Sequence, residues 1–246
     1  LGLNKNIKDA ILRNLDFIIH YPDPDYQELN EALAGSLRIS PENILVGNGS
    51  IEFIYLIPRT LKPGKVLIPA PAFSEYEKGV VLGGAAPEFI YGKEDEHFSI
   101  SARQIIRRVK DVDMVFLSNP NNPTGLVLEK NSLLEIIESC DRQGVWVVID
   151  EAFIEFLNDC DELTLIHEAV RKKRVMVLRS FTKSFSIPGL RLGYLIGHKE
   201  TVRILKDAQE PWRINSLACA AGCEAARDFM YMKGVREIIE VERKFL

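Results

Sequence analysis

Lys183 stands in the stretch RSFTKSFSIPGLRLGY, residues 179–194, with Ser180 three positions before it, Thr182 one before and Arg191 eight after. An amine, two hydroxyls and a guanidinium gathered behind an apolar run, in a segment broken by Pro188 and Gly189, exceed what packing requires. An amine can attack a carbonyl carbon, and hydroxyls beside an arginine can hold an anion.

Further polar groups follow other apolar runs. VWVVID sets Asp150, and then Glu151, behind five consecutive apolar residues, and a carboxylate at that depth needs a partner because an isolated buried charge is costly. Asp150 is therefore either a helix cap or the partner of a buried cation. In LSNPNNPTG, Asn119, Asn121 and Asn122 lie among Pro120 and Pro123; turn chemistry accounts for each singly, but three amides together also offer a hydrogen-bonding surface. IPAPAFSEYEKG presents Phe73 and Tyr76 near a helix start, as a cover for a flat ring or as core. ILVGNGSIEF runs a strand into Gly47-Asn48-Gly49-Ser50 and at once into a helix. Free amides and the helix dipole suit a phosphate there, and a plain tight turn reads the same. The turn has neither the Gly-Lys-Ser/Thr of a P-loop nor the glycine spacing of a dinucleotide site. A phosphate grip, a covering aromatic, a deep carboxylate for a ring cation, an amide for a ring hydroxyl and a reactive amine together describe one ligand, pyridoxal 5′-phosphate.

These groups need a scaffold that brings strand ends together. Helical and strand patterns alternate along the 246 residues, which predicts an α/β layer architecture with a large, mostly parallel sheet. The strand candidates are NILVG, KVLIP, PEFIYG, DMVFLS, VWVVID, RVMVLRS and GYLIG. Two of them, VWVVID and VMVLRS, are unbroken apolar runs, the pattern of strands covered on both faces. Ligands gather beyond the carboxyl ends of such strands. Ile7, Ile11, Leu15 and Ile18 fall at helix spacing, and a second helix opens at Asp23-Pro24 with Tyr26, Leu29 and Leu33 on one face. Helices are also predicted over 129–143 and 199–208. The start offers no cap or strand, and GVREIIEVERKFL at the other end is a charged amphipathic helix.

Composition narrows the function classes. An apolar fraction of 46% argues against disorder, and the absence of any apolar run near membrane-spanning length leaves a cytoplasmic protein as the natural expectation. The net charge of −4 offers nucleic acid no general attraction, and the one basic run, RKKR at 171–174, reads as a solvated helix end. Cys140, Cys160, Cys219 and Cys223 show no metal-ligand spacing, and the four histidines are scattered. No metal site is expected.

The motifs NNPTG, IDEAF, SFTK and GLRLGY, in this order and roughly this spacing, resemble those of the fold-type-I pyridoxal-phosphate enzymes related to aspartate aminotransferase. The resemblance implies a three-layer α/β/α fold with a mixed, mostly parallel sheet. It implies Lys183 as the Schiff-base lysine, Asp150 as partner of the pyridine nitrogen, Asn122 as contact to the ring hydroxyl and Phe73 as the stacking ring. Asn48, Gly49, Ser180 and Arg191 would bind the cofactor phosphate. Tyr21, in HYPDPDY, looks like the tyrosine that reaches the phosphate in the neighbouring subunit's site, which implies a homodimer with shared active sites. Residues 1–20 then form an N-terminal segment, 21–214 the cofactor-binding domain and 215–246 the start of a C-terminal small domain, largely missing. The substrate site is expected only in part.

Two branches of the family compete. Histidinol-phosphate aminotransferases usually carry tyrosine after DEA, where this chain has Phe153. GNGSIE, FSEYE, DEAFIEF and PWRIN look more like the threonine-phosphate decarboxylases, which implies a phosphorylated amino acid as substrate and a role in cobalamin synthesis. A non-catalytic aminotransferase-like module, as in some bacterial regulators, is the remaining alternative. It would need a DNA-binding element, and no helix-turn-helix pattern or basic arm appears. Glu151 is left as either an acting group or a cap.

Overall fold

The computed structural model describes residues 2–245. All seven strand candidates form, as β1 (Ile44–Gly47), β2 (Lys65–Ala70), β3 (Ala86–Tyr91), β4 (Met114–Ser118), β5 (Trp146–Asp150), β6 (Val175–Ser180) and β7 (Gly193–Gly197). They make one sheet in the order β1-β7-β6-β5-β4-β2-β3. Strands β2 to β6 run parallel, while β7 runs antiparallel to both β6 and β1, so β1 points the same way as the parallel set. Six strands, β1 to β6, therefore deliver their carboxyl ends to one edge.

Helices cover both faces. On one lie α1 (Lys5–Arg13), α2 (Gln27–Leu37), α5 (Ala102–Val109), α6 (Lys130–Gln143), α8 (Ile166–Arg171) and α11 (Ser216–Arg227); on the other lie α3 (Ile51–Leu61), α4 (Ser74–Leu82) and α10 (Lys199–Asp207). Short α7 (Cys160–Leu163) and α9 (Phe181–Ser184) serve as connectors, and α12 (Phe229–Phe245) ends the described chain. Every residue of β1 and β6 is buried, and alternate side chains enter opposite cores: Val177 goes to one, Met176 and Leu178 to the other. Sheathing by helices on both sides is why these strands read as unbroken apolar runs. Local signals fix the helix ends: Ser101 and Gln104 form a reciprocal capping box at α5, and Gly144 takes the left-handed conformation that stops α6.

The amino-terminal region departs from the sequence reading. The first helix stops at Arg13, Asn14 caps it, and Leu15 and Ile18 lie in a separate 3₁₀ turn with their side chains exposed. The spacing of four apolar residues continued, but the buried face did not. A cap is also present where none was expected: Asn4 Oδ1 accepts from the amides of Asn6 and Ile7, and Asn4 Nδ2 donates to Asp228 at 3.0 Å. The second helix begins four residues after Asp23, which caps it by accepting from the Gln27 amide at 2.8 Å; Tyr26, Leu29 and Leu33 are buried as expected. Helix α11, read as the start of a second domain, lies in the same core as α1 and α2.

Gly193 sets how closely the carboxyl end of β1 approaches β6. It pairs with Gly47 on one side and Ser180 on the other. A Cβ at Gly193 would stand 2.3 Å from the Ser50 amide nitrogen and 2.9 Å from the Arg179 carbonyl oxygen, both backbone atoms that cannot swing aside. Gly193→Ala is therefore expected to cost about 1–3 kcal/mol through backbone displacement. Gly189→Ala, with open space around the site, should leave the thermal midpoint unchanged; equal midpoints for the two variants would refute this account.

Candidate active site

The strand ends and the turns that follow them surround a cavity of about 150 Å³. Phe73 reaches it from the start of α4, Asn122 from the loop after β4, Asp150 from the end of β5, Ser180 from the end of β6, Lys183 from α9 and Arg191 from the turn before β7. Ser50 and Ile51 line it from the start of α3. Their amides find no acceptor among the described residues, as the first turn of a helix dictates.

Asp150 is the deepest charge in the cavity. Its Oδ2 accepts a hydrogen bond from the Tyr76 hydroxyl at 2.8 Å and its Oδ1 accepts from the Ala152 amide at 3.0 Å. Burial raises its pKa, opposed by those two hydrogen bonds and by Lys183. Burial also pushes the Tyr76 phenol far above its ordinary value, so Tyr76 stays a donor. Tyr76 stacks on Phe116, with ring centroids 5.3 Å apart, and meets Phe73 edge to face. The sequence offered Tyr76 only as a second aromatic beside Phe73; its hydroxyl proves to be the lock on the aspartate.

The three asparagines divide their work. Asn119 is buried, its Oδ1 accepting from the Leu128 amide at 2.7 Å, and Asn121 donates to the Pro71 carbonyl and to Thr124. These two hold the loop. Asn122 is the one that lines the cavity.

Lys183 is open to solvent, with its Nζ 5.8 Å from the Phe153 ring centroid. Partial burial lowers its pKa, Asp150 opposes that shift, and Arg191 adds to it. A lowered amine pKa raises the fraction of nucleophilic, unprotonated lysine. Ser180 caps the short helix carrying Lys183: its Oγ accepts from the Thr182 amide at 3.3 Å and lies 2.8 Å from the Thr182 hydroxyl oxygen. Arg191 takes a left-handed backbone conformation, and its guanidinium lies against Gly49, where a Cβ would come within 2.7 Å of Nη2. Gly49 thus backs onto the arginine.

Asn48 and Tyr21 are not brought to this cavity. Asn48 is exposed and its amide donates to Glu52, while Tyr21 is 81% exposed and packs near Trp212. Glu151 points to the opposite face of the sheet, where its carboxylate accepts from Arg179 Nε at 2.9 Å, the Thr164 hydroxyl at 2.8 Å and the Leu165 amide at 2.8 Å. A second cavity, about 640 Å³, lies on that face. Its buried polar residues Arg179 and Thr164 bond to one another and Arg179 pairs with Glu155, whereas the smaller cavity is the one that gathers Asp150, Ser180, Lys183 and Arg191.

The model of the family "Aminotransferase class I and II" matches residues 6–246. The chain belongs to the class I and II aminotransferase family. Enzymes of this family work with pyridoxal 5′-phosphate. Among relatives, a threonine-phosphate decarboxylase of Salmonella typhimurium is 36% identical over 229 residues, 93% of this chain and 62% of its own length. A histidinol-phosphate aminotransferase of Caldanaerobacter subterraneus is 35% identical over 245 residues, 98% of this chain and 67% of its own length. The chain thus spans about three-fifths to two-thirds of these relatives. Among solved structures, the histidinol-phosphate aminotransferase of Clostridium acetobutylicum is similar with a TM-score of 0.88 at 33% identity, covering 99% of this chain and 72% of its own. The Sinorhizobium meliloti aminotransferase, solved in complex with pyridoxal-5′-phosphate, shares the fold at a TM-score of 0.91 and 23% identity, covering 99% of this chain and 66% of its own.

For this family member the buried aspartate has a stability consequence. Its pKa is raised on folding, so the folded chain holds the proton more tightly than the unfolded chain, and stability falls as pH rises above the unfolded value of about 4. Without bound cofactor, Asp150→Asn is expected to melt higher than the parent at pH 7, with the difference vanishing toward pH 3. Melting curves across that range check it; a variant that melts lower at pH 7 would show the charge to be compensated already.

Proposed function

We propose that the protein to which this chain belongs decarboxylates L-threonine O-3-phosphate, giving (R)-1-amino-2-propanol O-2-phosphate. The residues lining the cavity fit pyridoxal 5′-phosphate group by group. Ser180, Arg191 and the unpartnered amides of Ser50 and Ile51 match a phosphate; Asp150 matches a protonated pyridine nitrogen; Asn122 matches the ring hydroxyl, Phe73 the ring face and Lys183 the aldehyde. When bound, the cofactor supplies an electron-withdrawing ring that stabilises negative charge at the substrate Cα.

The chain's own groups do the rest. Asp150, fixed by Tyr76 and Ala152, holds a proton on the ring nitrogen. An ion pair at about 4 Å and an effective dielectric of ~20 is worth ~4 kcal/mol, which bounds its contribution at about 10³-fold in rate. Loss of CO₂ leaves an electron pair at Cα, and Lys183 Nζ would return a proton there. Transamination differs in breaking the Cα–H bond, with the same amine carrying the proton.

Phe153 carries the choice between branches. It lines the cavity beside Lys183 and has no hydroxyl to offer the ring oxygen, whereas the aminotransferase branch usually has tyrosine there. The 35% identity to an aminotransferase supports the second reading, amino-group transfer from histidinol phosphate. The test is made on the complete protein loaded with cofactor. Steady CO₂ release from L-threonine O-3-phosphate, abolished by Lys183→Ala, is the expected result. Amino transfer from histidinol phosphate to a keto acid without CO₂ would replace the proposal with the second reading.

Tyr21 we place across a homodimer interface, supported by its exposure and that of neighbouring Phe17, Ile18 and Ile19. Mixing Lys183→Ala subunits with Tyr21→Phe subunits should then regenerate one intact site per mixed dimer. Activity no higher than the sum of the separate variants would refute the shared site.

A further inference from the structure

The turn between β1 and α3 is held from beneath by side chains that do not line the cavity. Glu52 Oε2 accepts from the Asn48 amide at 2.6 Å, and Glu52 Oε1 accepts from Gln209 Nε2 at 2.6 Å. Arg213 lies 3.6 Å from the same carboxylate and donates from Nε and Nη2 to the Val46 carbonyl at 3.1 and 3.0 Å. Gln209 donates to that carbonyl as well, at 3.3 Å. The Arg213 side chain is 10% exposed and its guanidinium sits 4.8 Å from the centroid of the Tyr26 ring. PWRIN, prominent in the sequence and unused by the cavity, thus contributes a brace for the strand-to-helix turn.

The geometry matters because amides in this turn have two destinations. Glu52 takes the Asn48 N–H, and Gly49 donates to the Gly47 carbonyl, which leaves Ser50 and Ile51 as the unpartnered amides beside the cavity. A bare carboxylate one helical turn from an anion site would also repel the anion; Arg213 offsets that charge. Burial raises the Glu52 pKa, and the Asn48 amide, Arg213 and Gln209 oppose the rise.

We propose that Glu52, held by Gln209 and Arg213, is a positioning residue that shapes the Gly47–Ser50 turn for the cofactor's phosphate. The proposal rests on the cofactor assignment above. It predicts an effect confined to the phosphate, since none of the three side chains faces the cavity that would take the ring.

The test compares pyridoxal 5′-phosphate with pyridoxal, which lacks the phosphate, by equilibrium dialysis against the complete cofactor-free protein. Glu52→Ala should weaken pyridoxal 5′-phosphate about tenfold, the scale of one aligned hydrogen bond to a charged group, and leave pyridoxal within about twofold. Gln209→Ala should act in the same sense and more weakly, and it decides the matter by itself if Glu52→Ala does not fold. Parallel weakening of both compounds, or no change in their ratio, overturns the positioning role. A parent protein that binds the two compounds equally would instead overturn the phosphate assignment on which the proposal rests.

Discussion

A carboxylate held below the surface, with one tyrosine and one amide for company, is the fixed point of this site. Asp150 cannot move without stranding the Tyr76 hydroxyl, and Tyr76 cannot move without breaking its stack on Phe116 in the core between the sheet and α3, α4 and α10. The loop after β4 is tied to the same point, because the Asn119 amide donates to the Asp150 carbonyl at 2.9 Å. The reactive groups thus inherit their precision from core packing, which is stiffer than any loop. A cationic ring seated above Asp150 would relieve the cost that burial imposes on it. Stability and chemistry are in tension at this residue, as is common where a buried charge is retained for function.

The two faces of the sheet divide the polar labour by strand alternation. Asp150 and Ser180 look into the cavity, while the adjacent Glu151 and Arg179 look the other way and satisfy each other. Burial opposes the Arg179 charge, yet Glu151 with Glu155 holds its pKa above the usual arginine value. Two consecutive charges after an apolar run are therefore one group for the cavity and one for the sheet's reverse side. This resolves Glu151, which the sequence left between an acting residue and a cap: it is an ion-pair partner that also accepts the Leu165 amide.

How much could be read in advance follows from which signals are local. Strands were legible because unbroken apolar runs ending in Asp, Ser-Asn-Pro or Arg-Ser have few other uses. Cavity residues were legible because they sit at a strand's carboxyl end or in the connection that follows it, where one edge collects them. What escaped depends on distance along the chain: Tyr76 meets Asp150 across 74 residues and Gln209 meets Glu52 across 157. No spacing rule connects such pairs. The amino terminus misled for another reason. Periodicity reports that apolar residues share a face and says nothing of whether anything covers it, so Leu15 and Ile18 kept the rhythm of a buried helix while standing in solvent.

The antiparallel return of β7 has a bearing on how such a chain can change. Lys183 and Arg191 belong to a single connection between neighbouring strands, anchored at Ser180 and Gly193, which lie opposite each other. The span of that connection works as a ruler laid between the amine and the anion grip. Substitutions along it can be absorbed, but one residue added or removed between the two marks would misplace one against the other. Through descent the number of residues between Lys183 and Arg191 should stay constant.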